Sequence, residues 1–328
     1  MRTDRRASAI AARAGLALVF GVAGLGSVSI GSGEAQELFP APFRLEHRMV
    51  VSSGTEGDLQ APSVTDYYGG HWLVSVRPDR GRTVIDLARH EITDINIAKG
   101  TFSTVSFDRF AELRRRSTRA EGGGGRPSMQ AASASTLDAG PRVRVDELAT
   151  PARSIAGAAA GVGRAASPPA ELGTRRFRVE VAAEQSQAPA GSAPSPLARV
   201  SAEISTDGRV TLSAQARAAI DSLEHDVLGA GMSEEMRAFG EGMASVRSKA
   251  DGAIPVRSVR LMRDDAGATI ARVEDLATAL EPIERFPAEL VGVPDGLRQV
   301  PHPLEAIVAV LESESALHRA MGERSVSK

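Results

Sequence analysis

The stretch that decides the fold class runs from His71 to Ser106 and reads HWLVSVRPDRGRTVIDLARHEITDINIAKGTFSTVS. Within it, apolar and polar residues mostly alternate in four short segments, at 71–77, 83–88, 91–97 and 101–106. Alternation with a period of two is typical of strands that bury one face. Turn sequences, such as Pro78-Asp79-Arg80-Gly81 and Lys99-Gly100, lie between segments. The spacing therefore predicts an antiparallel meander.

The same alternation continues on both sides of the meander. It predicts further strands at 43–51, 175–181, 200–204 and 254–262. Asp207-Gly208 is a tight-turn signal, and we expect a hairpin with a long loop in this region. The segment 269–280 has high helix propensity, but its alternation and its flanking turns favour a strand. Phe286 to Pro294 is predicted to be an extended closing segment.

Four segments carry helix signals. Ser106 and Ser233 are suitable N-cap residues, and we expect one helix to begin at Phe107 and another directly after Ser233. Gly229 is a natural C-terminal stop for a helix between these two. A last amphipathic helix is predicted at 304–321. The inward residues of the first three helices are expected to be Phe110, Leu113, Ala216, Ile220, Leu223, Val227, Met236, Phe239, Met243 and Val246.

Low-complexity sequence interrupts these elements. The segment 117–172 consists largely of Gly, Ala, Ser and Pro, with a possible brief strand at 142–145. Such a segment buries too little apolar surface to offset its conformational entropy, so it is predicted to be largely disordered. The expected organisation is a meander with a short helix at 36–116, an insertion at 117–172, and strands and helices at 173–328 that complete the same domain. The fold class is therefore predicted to be α+β, with a curved antiparallel sheet, embedded helices and long disordered insertions.

The first residues have the order of a signal peptide. A basic start with Arg2, Arg5 and Arg6 is followed by an apolar run, and then by small residues that end at Ala35. Export machinery and signal peptidase read this order, so residues 1–35 are predicted to be removed by cleavage after Ala35. The chain has no cysteine, which excludes a lipid-anchored cysteine, disulfides and thiolate metal sites. We expect an exported protein, periplasmic or extracellular, without a stable membrane span in the mature chain.

The chemistry-bearing residues indicate no catalytic, cofactor or metal site. The formal net charge of -2 argues against a nucleic-acid partner. No Gly-x-Ser-x-Gly elbow or phosphate-binding loop is present, and no histidine has a second ligand at a zinc spacing. The histidines are predicted to be solvated or locally bonded: His47, His71, His90, His225, His302 and His318. Arg114-Arg115-Arg116 is expected to complement a helix dipole and remain in water, with an anionic partner as the alternative.

Short signatures give a resemblance to a known group. Val76-Arg77-Pro78-Asp79 before Val84-Ile85-Asp86-Leu87, followed by Glu91-Ile92-Thr93-Asp94-Ile95 and Lys99-Gly100-Thr101-Phe102, resembles uncharacterised secreted proteins related to the periplasmic lipoprotein carriers. Phe286 and Val293-Pro294-Asp295-Gly296 resemble their closing segment. The resemblance to this LolA/LolB-like group covers about a third of the mature chain. It implies a half-barrel whose apolar concave face shelters an acyl chain or a hydrophobic peptide.

This resemblance suggests a set of ligand-lining residues: Trp72, Val74, Val76, Ile85, Leu87, Phe177 and Val179. The alternative is that the same side chains form a filled core. Three functions remain open: a non-catalytic carrier or sensor of a lipid or other hydrophobic ligand, an interaction module for an envelope protein, and an enzyme. The second predicts an exposed apolar patch near the final helix or the Arg114 cluster. The third would need a cleft in which a histidine and a carboxylate converge.

Overall fold

The structure is a computed structural model that describes residues 37–53, 56–78, 81–122, 141–149, 174–182, 199–264 and 266–326. The predicted signal peptide, including Ala35, lies outside the described residues. So do 123–140 and 150–173, which make up most of the low-complexity insertion.

Thirteen strands are present in the described residues. They are β1 (Phe39–Ser53), β2 (Glu56–Gln60), β3 (Val64–Gly70), β4 (Trp72–Arg77), β5 (Gly81–Asp86), β6 (Glu91–Asn96), β7 (Thr101–Ser106), β8 (Arg142–Leu148), β9 (Arg175–Ala182), β10 (Arg199–Thr211), β11 (Ala253–Arg263), β12 (Thr269–Pro282) and β13 (Arg298–Gln299). The helices are α1 (Phe107–Gly122), α2 (Ala214–Ser222), α3 (Glu234–Lys249) and α4 (Pro303–Val326). A π-helical turn, Leu223–Leu228, extends α2, and a 3₁₀ turn spans Ala288–Leu290.

All thirteen strands belong to one curved, open sheet. Its order is β13-β7-β6-β5-β4-β3-β1-β12-β11-β10-β9-β8, and β2 pairs with β1 outside this order. The pairs are antiparallel, except that β13 runs parallel to β7. The predicted meander is β4 to β7, to which β3 adds a strand that the alternation did not predict, and β9 and β10 form the predicted hairpin. The pairing of β1 with β12 joins the early and late parts of the chain. The α+β class with embedded helices is therefore confirmed.

Two local predictions differ from the structure. Asp207-Gly208 does not end a strand, because β10 continues to Thr211 and only its register with β11 shifts there. The Asp207 side chain accepts a hydrogen bond from Arg209 N at 2.8 Å, so the turn-like geometry is contained within the strand. The closing segment is not fully extended either, because it contains the 3₁₀ turn.

The two faces of the sheet are covered differently. We call the face that carries Leu73, Ile85 and Phe177 the inner face; helices α1, α2 and α3 cover it. We call the face that carries Val74 and Val84 the outer face. On the outer face the meander packs against the late segment that includes Phe286, Leu290, Val291 and Leu297. The outer face of β4 and β5 is therefore covered at Val74 and Val84, whereas β7 exposes Thr104 and Ser106 on the same face.

The predicted helix caps and inward faces are confirmed. Ser233 Oγ accepts from Met236 N at 3.4 Å, and Ser106 Oγ accepts from Arg109 N at 3.3 Å. The inward residues of α2, of its π-helical extension and of the first turns of α1 are buried, and α3 buries Phe239, Met243 and Val246. No helix in the described ranges has the length and apolar character needed to cross a membrane.

Helices α1 and α4 lie side by side and run in the same direction. Arg109 contacts Glu305, and Arg116 forms two hydrogen bonds of 2.9 Å with Glu312. Each pair is separated by 196 residues, which fixes the register of the two helices. Arg115 is exposed, as predicted for the basic cluster, whereas Arg116 binds a carboxylate of the neighbouring helix.

Strand β8 forms one end of the sheet. It pairs with β9 alone among the described strands. Lys249, at the end of α3, donates a hydrogen bond from Nζ to the carbonyl oxygen of Val145 in β8 at 2.8 Å. One backbone carbonyl oxygen of the end strand is therefore already hydrogen-bonded to a charged side chain.

Candidate functional site

A cavity of about 130 Å³ lies between the inner face of the sheet and the helices. We call it the sheet–helix cavity. Its apolar wall comes from the sheet, α2 and α3 and consists of Leu45, Leu212, Ile220, Met243, Ile254, Val256 and Ala277. Its polar wall includes His47, Asp66, Tyr68, Glu224, Arg247, Arg260 and Asp275. The cavity therefore combines an apolar half with an unusual concentration of charged groups.

His47 is held by a carboxylate on each ring nitrogen. Its Nε2 lies 3.1 Å from Asp66 Oδ2, and its Nδ1 lies 2.8 Å from Asp275 Oδ1. Ser75 Oγ donates to the other oxygen of Asp66 at 2.5 Å. Burial alone would lower the pKa of His47, but the hydrogen bonds to Asp275 and Asp66 outweigh burial and raise this pKa to about 10. His47 is therefore an imidazolium at neutral pH.

A β-bulge explains how Asp275 reaches this cluster. Strand β1 pairs Leu45 with Leu280 and His47 with Ala277, so one residue of β12 is left over between these pairs. A bulge of this kind changes which residues of a strand point to a given face. Beyond it, Ala277 and Asp275 lie on the inner face together with Leu280. In a strand without the bulge, the even-numbered residues would share the face of Leu280, and Asp275 would point to the opposite face.

Arg247 on α3 forms a second ionic cluster. Its guanidinium donates to Asp221 Oδ1, and Nη2 donates to Glu224 Oε2 at 2.7 Å. The side chain of Arg247 is 5% exposed and that of Glu224 is 6% exposed. Burial raises the pKa of Glu224 to about 8, although Arg247 opposes this shift. Glu224 is therefore mostly protonated at neutral pH, and Asp221 is the main counter-charge of Arg247.

Arg260 on β11 has no carboxylate bound to its Nε among the described residues. It is 8% exposed, and its Nε is buried without a hydrogen-bond partner. Its guanidinium lies over the ring of Phe239, 4.9 Å from the ring centroid. Burial lowers the pKa of Arg260, against the attraction of Asp275 and Glu224, yet a guanidinium stays protonated in proteins. The polar wall thus contains a buried cation whose Nε finds no acceptor among the described side chains.

The His47 cluster is one end of a polar row across the inner face. The register of the meander aligns Asp66, Ser75, Thr83, Asp94 and Ser103 on five successive strands. At the far end, His302 Nε2 lies 3.0 Å from Asp94 Oδ2, and Thr83 Oγ1 donates to Asp94 Oδ1 at 2.7 Å. Each end of the polar row therefore contains a histidine that faces an aspartate, and His302 is buried whereas the His47 side chain is 12% exposed.

The structure separates the seven predicted lining residues. Ile85, Leu87, Phe177 and Val179 are buried on the inner face, whereas Trp72, Val74 and Val76 belong to the outer-face cluster. Register explains the division, because Leu73 pairs with Ile85 while Val74 pairs with Val84. Val179 lies so close beneath α3 that a Cβ atom added to Gly242 would overlap its side chain. None of the seven borders the sheet–helix cavity, and a ligand-binding role for them stays a prediction.

The prediction that the histidines are solvated or locally bonded is wrong for His47 and His302. Both are largely buried, and their aspartate partners are 228 and 208 residues away for the pairs His47–Asp275 and His302–Asp94. His225 is bonded locally, to Asp226 at 2.7 Å. Within the described ranges, no group of three or more histidine or acidic side chains is arranged to hold a metal ion.

Comparisons with known proteins assign neither a family nor a role to this chain. No family model matches the chain. No curated protein matches it either. Among solved structures, the chain is similar to an uncharacterised conserved protein from Thermus thermophilus, with 9% sequence identity and a TM-score of 0.32. That similarity covers 80% of this chain and 91% of the other.

Proposed function

We propose that the chain is a non-catalytic extracytoplasmic protein that binds a hydrophobic ligand, such as a lipid or an acyl chain, between the inner face of its sheet and the helices. The observation that carries this proposal is the sheet–helix cavity with its apolar wall. Pockets for small ligands are mostly apolar and contain a few converging polar groups. The open, curved sheet supports the likeness to the periplasmic lipoprotein carriers, in which a half-barrel would provide the binding face.

The size of the cavity limits what it holds in this conformation. An engineered apolar cavity of about 150 Å³ accommodates benzene, so a cavity of about 130 Å³ accepts a ligand segment of similar size. A longer acyl chain would require α2 and α3 to move away from the sheet. The proposal therefore includes a movement of these helices for long ligands.

The chemistry of His47 supports a binding role over catalysis. A histidine that acts as a general base needs a free ring nitrogen and a pKa near neutrality. Both nitrogens of His47 face carboxylates, and its pKa is raised to about 10. Histidine and carboxylates do converge beside the cavity, but they form a closed ionic cluster.

The test is native mass spectrometry of the mature protein, purified gently from its own host, with solvent extraction of any bound molecule. We expect a stoichiometric apolar adduct on the wild type that is lost from Ala277→Leu, since the larger side chain fills the cavity. Ala279→Leu is the matched control, because Ala279 lies on β12 on the opposite side of the bulge from Ala277 and does not border the cavity. A wild-type protein free of any adduct would count against the ligand-binding proposal. Amino-terminal sequencing of the same sample tests export, with residue 36 expected first.

A second candidate function is an interaction module for an envelope protein. Ile307 and Val310 on α4 are 43% and 57% exposed, close to the α1–α4 contact. An exposed apolar pair on a helix favours contact with another protein when it belongs to a larger patch. Cross-linking in envelope extracts tests the interaction module. Val310→Glu should abolish any cross-linked complex with a partner protein, whereas Ser313→Glu, at another exposed position of α4, should keep it.

A further inference from the structure

The side chain of Arg260 projects from a row of otherwise apolar residues. Its neighbours on the adjacent strands are Ala202 and Val273, which are 2% and 3% exposed. An ionised group in such surroundings carries a desolvation penalty of several kcal/mol unless it is paired and hydrogen-bonded. The ring of Phe239 offsets part of this penalty from one side through a cation–π contact. The buried Nε–H on the edge of the guanidinium has no acceptor in the described ranges of the chain.

The nearby carboxylates are already bound to other cations. Asp66 and Asp275 flank His47, while Asp221 and Glu224 accept hydrogen bonds from Arg247. Among these cavity cations, Arg260 alone has a donor left over in the described part of the chain. Glu224, which also faces the cavity, has a pKa raised to about 8 by its burial and so contributes little negative charge at neutral pH.

We infer that Arg260 anchors the head group of the bound ligand, and that this head group is a carboxylate on a short apolar chain. The two oxygens of a carboxylate match the paired N–H groups of a guanidinium. The apolar wall, with Ile220, Ile254 and Ala277, accepts the chain. This inference rests on the proposed function, because it assigns the ligand class of the same cavity. In the present conformation, the cavity would hold a carboxylate with about four carbon atoms. Together with its two oxygens, such a ligand has about six non-hydrogen atoms, as many as benzene.

The test compares acids with alcohols of equal chain length. Butanoate, hexanoate, 1-butanol and 1-hexanol are titrated by ligand-observed NMR into wild type, Arg260→Met and Arg263→Met. Arg263 ends the same strand but does not border the cavity, so its variant is the control. A hydrogen bond to a charged group contributes roughly 1.5–3 kcal/mol, so acids should bind Arg260→Met about 10- to 100-fold more weakly than wild type. Alcohols should bind all three proteins alike.

Each outcome bears on a different claim. Equal binding of acids to wild type and Arg260→Met, with alcohols also bound, would overturn the carboxylate anchor and leave the apolar ligand site intact. If neither acids nor alcohols bind to wild type, both the anchor and the ligand site are overturned. Loss of a buried unpaired charge should leave the melting temperature of the apo variant equal to or above that of wild type. Should Arg260→Met not fold, Arg260→Gln replaces it, with the same expected loss of acid binding.

Discussion

The two ends of the polar row hold their histidines differently. His47 faces two carboxylates, Asp66 and Asp275. His302 faces one carboxylate, Asp94, and its Nδ1 accepts a hydrogen bond from Leu304 N at 3.2 Å. A nitrogen that accepts a hydrogen bond carries no proton, so the ring of His302 donates only through Nε2. The two rings thus differ in their second partner. For His47 it is a carboxylate, which favours a positively charged ring, and for His302 it is a backbone N–H, which requires an unprotonated Nδ1.

The His302 end also has a structural role that the His47 end lacks. His302 directly precedes α4, and Pro303 is the first residue of that helix. Its Nδ1 therefore accepts one of the free N–H groups at the helix start, where proline is well tolerated. Burial would raise the pKa of Asp94, but hydrogen bonds from His302 and Thr83 lower it. This end of the row fixes a helix to the meander, whereas the His47 end fixes β12 to β1 and β3.

The largest expected effect comes from removing each histidine in turn. His47→Leu leaves the buried carboxylate of Asp66 without a cation, and loss of one partner of a buried ion pair costs about 3–5 kcal/mol. His302→Leu removes hydrogen bonds from Asp94, which is 36% exposed, so we expect a loss of about 1–3 kcal/mol. Urea unfolding followed by circular dichroism at pH 7 measures both. Equal losses would contradict the distinction between a charged and a neutral end.

The next largest effect is expected in a pH series, which should show the contribution of His47 to the free energy of unfolding. The folded-state pKa of His47 is raised from 6.5 to about 10, so its contribution is complete below pH 6.5 and is lost as pH rises towards 10. We expect the loss of the His47 contribution to lower the free energy of unfolding by on the order of 4 kcal/mol across this window. Urea unfolding at pH 6.5, 8 and 10 measures the decrease.

Two variants divide this pH dependence. The pKa of Glu224 is raised from 4.5 to about 8, so its contribution is lost between these values. Glu224→Gln should make the decrease between pH 6.5 and 8 smaller, because only His47 then titrates there, and should leave the decrease between pH 8 and 10 unchanged. His47→Leu should keep only the Glu224 part of the decrease below pH 8 and remove the decrease above pH 8. A His47→Leu protein that still loses stability between pH 8 and 10 as wild type does would rule out His47 as the titrating group.

The smallest expected difference concerns the hydroxyl groups that support the two aspartates. Ser75 Oγ is fully buried against Asp66, whereas Thr83 Oγ1 donates to an aspartate that also has His302 and solvent. Ser75→Ala should therefore cost about 1–3 kcal/mol and Thr83→Val about 0.5–1.5 kcal/mol. The same unfolding assay compares them. A larger loss for Thr83→Val would reverse the proposed order of the two ends.

Sequence alone predicts the local elements well. Alternation indicates the strands from β4 to β7, and serine caps mark the starts of α1 and α3, because both signals depend on residues near each other in sequence. The preference for a strand at 269–280 is also confirmed. The Asp207-Gly208 signal is wrong as a strand end, since pairing with β11 on both sides carries β10 through the turn-like geometry.

The candidate site depends on information that local patterns do not contain. His47 and Asp275 meet only because β1 pairs with β12, and the bulge between them decides that Asp275 faces inward. Alternation within single strands places Trp72 with Val76, and Ile85 with Leu87. Alternation gives two faces for each strand, but the register between strands decides which faces coincide. Trp72 and Ile85 therefore fall on opposite sides of the same sheet.

The lysine bound to the end strand has a consequence for solubility. An open sheet can, in principle, grow by adding a strand from another molecule to an unpaired end. Here β13 offers only two residues, and at the other end Lys249 places a charge on a backbone acceptor of β8. Arginine greatly outnumbers lysine in this chain, whose three lysines are Lys99, Lys249 and Lys328. Acetylation of Lys249 would therefore remove the charge that discourages pairing of β8 with a strand of another molecule, and with it a safeguard against fibre-like assembly.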